Sequence, residues 1–317
     1  MCIGTEPVSL PLEPGTGLHY PEQYAKPDNF QFNPGQCIRS FRFGSCSNGH
    51  KFIKSLVCGR EYCPDCGKID SDSHKRRKAR WYEKIHSLKQ VGYLVITVPY
   101  EAREYFKDRS VLTDFRTFVK RKLQRIGYNK GLIRYHYFGD CNYCKGYGCI
   151  NCNNTGAGNS WNPHLNVIIE QGYFPKKTFL EFTSELKNDV IKWIKNRFKK
   201  IPVIMKGNVN FSYRKTKKEI NHTLNYVTRA TFRRYDRSIA ELLHGFKTSN
   251  CWGKFEKMIS DNEDKEVNEL VSLESGLCPC CGGLITWEKE RLKRSQIFHF
   301  EKIRIDGGYY MILDDYG

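Results

Sequence analysis

No stretch of this 317-residue chain is apolar for long enough to cross a bilayer, and residues 1–20 lack the succession of charged, apolar and small residues that marks a secretory signal. A membrane partner is therefore not expected, and the reading is a cytoplasmic protein. Acidic side chains are scarce: 34 Asp and Glu stand against 52 Lys and Arg, a formal net charge of +18. An imbalance of that size calls for a polyanionic partner, with nucleic acid the leading candidate. The chain has no Gly-x4-Gly-Lys-Ser/Thr loop, and residues 240–317 carry no helicase signature. Chemistry driven by nucleotide hydrolysis is not expected.

Cysteine, by contrast, is plentiful, with 14 copies. In a reducing compartment, repeated Cys-x2-Cys pairs point to metal clusters in preference to disulfides. Cys58-x4-Cys63-x2-Cys66 with Cys46 upstream supplies four thiolates for a closed structural zinc site, with Cys37 and His50 as substitutes for Cys46. Cys141-x2-Cys144-x4-Cys149-x2-Cys152 supplies four more, interleaved with glycines that allow tight turns around a metal. A third knuckle has Cys278 and Cys281, with Cys251 joined by Cys280 or His299 to complete it. Two to three zinc ions per chain follow from this ligand count.

Residues 1–36, rich in proline and without periodicity, read as a flexible arm, and 37–90 as a zinc-binding module ending in a basic helix at 74–89. Residues 91–235 form a core domain interrupted by a zinc-knuckle insertion at 139–160, and 236–317 a further region with an acidic linker at 261–269 and a terminal hairpin at 296–313. Within the core, strands are expected at 92–99, 132–138, from 164 onward and at 209–213. Helices are expected at 110–126, 176–199 and 216–233. That order fits an α+β fold, a central antiparallel sheet with flanking helices. Lys75, Arg76, Arg77 and Arg80 on the basic helix, together with Arg233, are the expected DNA contacts.

Two short patterns carry chemistry. In Trp161-Asn162-Pro163-His164-Leu165-Asn166-Val167, strand alternation puts His164 and Asn166 on one face while Leu165 and Val167 face a core. An imidazole and an amide oxygen side by side can hold a divalent ion; a half-buried, hydrogen-bonded histidine is the plainer alternative. On the helix at 216–233, His222, Tyr226, Arg229 and Arg233 share a face. A tyrosine among cations suits a nucleophile that attacks a phosphate, and a packed tyrosine beside backbone-binding arginines is the competing reading.

Taken together, the order Cys58-x4-Cys63-Pro64-x-Cys66, basic helix, Tyr93 to Val98, Asn162-Pro163-His164-x-Asn166 and Tyr226-x2-Arg229 resembles the rolling-circle replication initiators of plasmids and viruses. These belong to the HUH (His-hydrophobic-His) endonuclease superfamily and are related to single-strand transposases. The resemblance covers roughly residues 46–233. It implies a prokaryotic host cell, single-stranded or origin-hairpin DNA as substrate, and host helicase and polymerase or a second copy of the chain as partners. It further implies Mg²⁺ or Mn²⁺ on His164 and Asn166, attack by Tyr226 to form a 5′-phosphotyrosyl bond, and Arg229 where the family has lysine. The family's third ligand lies on the neighbouring strand, where His136 matches best and Asp140 is the reserve. Asn166 departs from the family's second histidine. A single-strand transposase is the nearest alternative, and a non-catalytic, zinc-stabilised nucleic-acid-binding protein is the alternative of another class.

Overall fold

The computed structural model describes residues 40–313, apart from 59–62, 64–65, 68–69, 145–148, 153–156, 171–175, 202–206, 231–236, 244 and 257–264. The arm at 1–36, Cys37 and Arg233 lie outside the described residues. In chain order the first half holds β1 (Ser40–Cys46), β2 (Lys51–Leu56), α1 (Asp72–His86), β3 (Val91–Thr97), α2 (Arg109–Arg125), β4 (Gly131–Asp140) and β5 (Ala157–Glu170). Then come α3 (Lys176–Arg197), β6 (Asn208–Arg214), α4 (Lys217–Thr228), α5 (Arg237–Leu243) and β7 (Ser249–Trp252). The last are α6 (Lys265–Glu274), β8 (Ile285–Trp287), β9 (Lys302–Arg304) and β10 (Tyr309–Ile312).

The fold is α+β, with two antiparallel five-stranded sheets where one was expected. The central sheet runs β6-β3-β5-β4-β7. Its strands alternate as the residue pattern requires. Leu94, Ile96, Ile133, Tyr135, Leu165, Val167 and Ile169 meet α2 and α3 in one core, through Phe115, Val119 and Leu123 and through Leu186, Val190 and Ile194. The opposite face presents Tyr93, Leu132 and Ile168 to α1, α4 and α6. Each fully buried aliphatic side chain contributes about 1.5–3 kcal/mol, so the α2–α3 face anchors the sheet and leaves its other face able to carry polar groups.

The second sheet, β8-β1-β2-β10-β9, joins the two ends of the chain: β1 pairs with β8, and β2 with β10. Residues assigned separately to 37–90 and 236–317 thus share one sheet. No local periodicity announces such a pairing, because its partners lie more than two hundred residues apart. The acidic linker expected at 261–269 overlaps α6, whose Leu270, Val271 and Leu273 are buried.

Four of the cations expected to contact DNA are engaged inside the protein. Lys75 pairs with Asp306 at 2.6 Å. Arg76 is buried, donates to the carbonyl of Gly307 at 2.6 Å and lies 3.6 Å from Glu274. Arg77 donates to the carbonyl of Thr228 at 2.7 Å, and Arg80 pairs with Glu274. Gly307 and Gly308, at φ +63° and +76°, take left-handed conformations open to glycine and turn β9 into β10 with carbonyls aimed at Arg76. The basic helix α1 is therefore a strut between the two sheets.

Candidate functional site

The polar face of the central sheet brings together residues distant in sequence. On β5, His164 and Asn166 point to one side and are 5% and 0% exposed, while Leu165 and Val167 enter the α2–α3 core as strand alternation requires. Register sets His136 on β4 directly opposite His164, and Arg134 opposite Asn166. The two imidazole centroids are 5.4 Å apart. Irregular pairing after His136 shifts the end of β4 and leaves Asp140 beside the same face, 3.3 Å from the guanidinium of Arg229.

Tyr226 arrives on α4, and the placement of that helix has local causes. Thr216 caps its start: the hydroxyl of Thr216 accepts from the N–H of Glu219 at 3.2 Å, and the Glu219 carboxylate accepts from the N–H of Thr216 at 3.1 Å. The backbone N–H groups of Lys215 and Thr216, which donate to it, hold the Glu219 carboxyl below its ordinary pKa. The helix stops at Thr228, five residues short of the expected end, because Arg229 turns to extended backbone at φ −54° and ψ 157°. The carbonyls orphaned by that stop find partners on α1. His74 Nδ1 accepts from the N–H of Asp70, so Nε2 carries the proton and donates to the carbonyl of Asn225 at 3.2 Å, while Arg77 takes the carbonyl of Thr228.

So held, Tyr226 lies with its ring centroid 5.4 Å from that of His136, and the Arg229 guanidinium carbon lies 4.0 Å from the Tyr226 ring centroid. The buried Arg134 donates to the carbonyl of Arg229 at 3.3 Å and fixes that turn. His222, expected on the same face, is solvent-exposed. Tyr226, Arg229, His136, His164 and Asn166 therefore meet on one sheet face.

The fit of a divalent ion can be judged from hydrogen bonding. The His164 Nδ1 lies 2.9 Å from the carbonyl oxygen of Asn162, which fixes the tautomer with the lone pair on Nε2, as a metal-ligating imidazole requires. His136 donates from Nε2 to the carbonyl of Val227 at 3.1 Å, which places its own lone pair on Nδ1. The Asn166 Oδ1 accepts from the Tyr93 hydroxyl at 2.5 Å, while its Nδ2 is buried without a partner. Leaving such a donor unpaired costs about 1–3 kcal/mol. Rotating the amide by half a turn gives Nδ2 to Tyr93 and moves Oδ1 into the unsatisfied position, the orientation a ligating amide needs. Burial pushes the Tyr93 phenol well above its ordinary pKa, and negative charge on Tyr226 would push it further, so Tyr93 stays protonated beneath the site. The donor set is thus compatible with a hard cation, with an amide where a third histidine or a carboxylate would bind more strongly.

Sequence reasoning missed the residues that support this face. Tyr93 holds Asn166; Arg214 lies 4.9 Å over the Tyr93 ring and donates to the Thr223 hydroxyl; Arg134 holds the Arg229 turn. Alternation along β3 and β4 was the available signal, since Tyr93 and Arg134 fall on the same side as Val95 and His136.

The described residues also hold three sulfur-rich groups able to bind a metal. Four thiolates around one zinc, with Zn–S near 2.3 Å, sit about 3.8 Å from one another. In the insertion, Cys141 and Cys149 are 3.9 Å apart, Cys144 and Cys152 3.7 Å, and Cys149 and Cys152 3.7 Å. Backbone N–H groups of Cys144 and Tyr143 lower the pKa of Cys141, which favours its thiolate. That quartet matches its expected ligands one for one.

The other two groups are composed differently from expectation. Cys46 joins His50, Cys278 and Cys281: its sulfur is 3.6 Å from that of Cys281 and 3.3 Å from His50 Nδ1, which is 3.7 Å from the Cys278 sulfur. Cys58, Cys63 and Cys66 remain as a three-thiol group among the described residues. The β1–β2 hairpin explains the exchange, because it carries Cys46 and His50 to β8 and the knuckle beside it. Cys251 is not a ligand of the third cluster: it lies on β7 opposite Leu132 and is disulfide-bonded. Cys280 points away, to Met311 at 3.6 Å.

No helix among the described residues is long and apolar enough to cross a membrane. No protein-family model, curated protein or solved structure matches this chain.

Proposed function

We propose that the protein nicks and rejoins single-stranded DNA through a transient covalent bond to Tyr226, as a rolling-circle replication initiator does. One observation carries this reading: Tyr226, His136, His164 and Arg229 converge on a single sheet face, with Tyr226 and His164 each 5.4 Å from His136 between centroids. Those residues come from three elements, and convergence of a phenol, two imidazoles and a guanidinium is what phosphoryl transfer to tyrosine needs.

His164, His136 and the rotated Asn166 would hold Mg²⁺ or Mn²⁺, with Asp140 in reserve, and the ion would supply Lewis-acid polarisation of the scissile phosphate. Tyr226 Oη attacks phosphorus and loses its proton; the P–O3′ bond breaks, and the departing 3′-oxygen takes up a proton. Arg229 meets the negative charge that grows on the phosphate oxygens. One phosphoester replaces another, so no nucleotide cofactor is required, and reversal of the step by a 3′-hydroxyl rejoins the strand. In the same reading the sulfur-rich groups hold structural zinc.

A second reading has its own observation. Asn166 is buried and its oxygen is bonded to Tyr93, which weakens it as a ligand and favours a protein that binds DNA without cutting it. Incubation with a randomised pool of single-stranded oligonucleotides and Mn²⁺ separates the two. A denaturation-resistant adduct that maps to the Tyr226 peptide, and is lost in Tyr226→Phe, supports the nickase. Binding with no adduct from any pool refutes it in favour of the binding protein.

A further inference from the structure

With Lys75, Arg76, Arg77 and Arg80 engaged internally, the positive charge available to a partner must lie elsewhere. Helix α2 carries six Lys and Arg against one Asp, and α3 carries six against three acidic residues. Some are used at home. Arg109 and Arg116 donate inward to the carbonyls of Leu242 and Lys247. Lys122 pairs with Asp189 at 2.7 Å, and Arg197 with Asp114 at 3.0 Å, which clamps the two helices side by side. Lys120, Arg121, Arg125, Lys192 and Lys195 make no ion pair among the described residues.

Between the helices lies a cleft of about 350 Å³, within the range of small-ligand sites. Phe118 and Trp193 form its floor, their rings stacked at 5.7 Å and 25°, and both are only partly buried. Arg121, Lys122, Arg125 and Arg197 form its rim, with Asp114 held by Arg197. Ion pairs inside the protein explain the clamp but not a partly open aromatic pair flanked by the guanidinium groups of Arg121 and Arg125, which make no ion pair among the described residues.

We infer that this cleft is a binding site for single-stranded nucleic acid, in which a base stacks on Trp193 and Phe118 while Arg121 and Arg125 hold the flanking phosphates. Stacking on an aromatic side chain accepts any base, and the rim cations add the salt-dependent part. A duplex has no unstacked base to offer, and a lipid headgroup has no flat ring for the floor. The cleft belongs to α2 and α3, which cover the sheet face opposite Tyr226. On the nickase reading it would grip a segment of the strand other than the one at the tyrosine. The inference goes beyond the nickase reading and does not depend on it.

Its test is binding of a labelled oligothymidylate to the full chain carrying Tyr226→Phe, so that covalent capture plays no part. In Arg121→Glu/Arg125→Glu, where both residues are solvent-exposed, affinity should fall at least about tenfold. The slope of log K against log salt should flatten by about 1.4, the share of two single-strand phosphate contacts. A control with equal charge change on the exposed residues Lys289→Glu/Arg291→Glu should lose less than about threefold. Equal losses in the two variants would mean that net charge alone is at work and would overturn the site. A bromodeoxyuridine-substituted oligonucleotide should photo-crosslink to the peptide holding Phe118 or Trp193, and crosslinks confined to other peptides would overturn it too. If the cleft variant loses binding to phosphatidylserine vesicles while its DNA affinity is unchanged, the surface is a lipid site and the inference fails. Absence of a Tyr226 adduct would leave this inference standing, so the two failures are distinguishable.

Discussion

Glu274 shows how a single buried residue can report on the stability of the protein. Its carboxylate is 5% exposed and is shared by Arg76, Arg80 and the hydroxyl of Tyr309, which donates at 2.6 Å. Burial raises its pKa, but Arg80, Lys54, Arg76 and the Tyr309 hydroxyl together outweigh that effect and hold it below the ordinary value. The folded state therefore favours the charged form, and the stability it contributes is present above the unfolded pKa and lost as pH falls through the folded one. Glu274→Gln leaves Arg76 buried without its counter-charge and should cost about 3 kcal/mol in urea unfolding. His74 has its pKa lowered to about 4, by burial first and by Arg77 second, so the unfolded chain gains its proton at higher pH than the folded one. The stability from keeping His74 neutral is complete above the unfolded pKa of about 6.5 and falls, by up to roughly 3 kcal/mol, as pH drops toward 4. The difference in stability between the wild type and His74→Gln should shrink steadily across that window, and a constant difference would contradict the assignment. At this scale the sequence was legible where spacing is rigid. His164 and Asn166 face one way because strands alternate. Tyr93 and Arg134 were invisible as site residues because their roles come from partners on other strands.

Among the elements, α4 decides where the candidate nucleophile sits, and its two ends are held by different means. The start is local: the Thr216–Glu219 capping box lies within four residues and was present in the sequence as Thr-x-x-Glu. Thr216→Ala should cost about 1 kcal/mol. Thr216→Ala with Glu219→Ala should cost less than the sum of the two single changes, because each side chain caps the other's backbone. Thermal unfolding of the three variants measures this, and strict additivity would rule out the reciprocal cap. The end is tertiary. Periodicity alone extends the helix to 233, since Arg229 and Arg233 keep its spacing, but His74 and Arg77 on α1 satisfy the last carbonyls and Arg134 holds the turn at Arg229. The same contacts engage cations of α1, whose cationic run looks identical in sequence whether it faces DNA or a neighbouring helix.

For the whole molecule, sheet pairing and a Cys46–His50–Cys278–Cys281 group able to hold a metal tie the early strands β1 and β2 to the late strands β8 and β10. Cys46→Ser and Cys281→Ser should each remove one zinc, and the double variant should remove the same one, because both ligands belong to one cluster. Had Cys46 served with Cys58, Cys63 and Cys66, the double variant would lose two; zinc content by atomic emission decides. Chelation that empties the Cys46–His50–Cys278–Cys281 cluster should also loosen the β1–β8 edge, read as faster amide exchange at Gly44 and Ser45, which pair with Trp287 and Thr286. By itself the sequence determined the α+β class, the strands and helices of the core, the cysteine quartet of the insertion and the residue types at the candidate site, because each rests on spacings of a few residues. Only the tertiary structure decided which cysteines gather in groups able to hold a metal, which cations remain available to a partner and where α4 stops. Those outcomes depend on partners brought from the far end of the chain, and a linear pattern holds no information about distance in space.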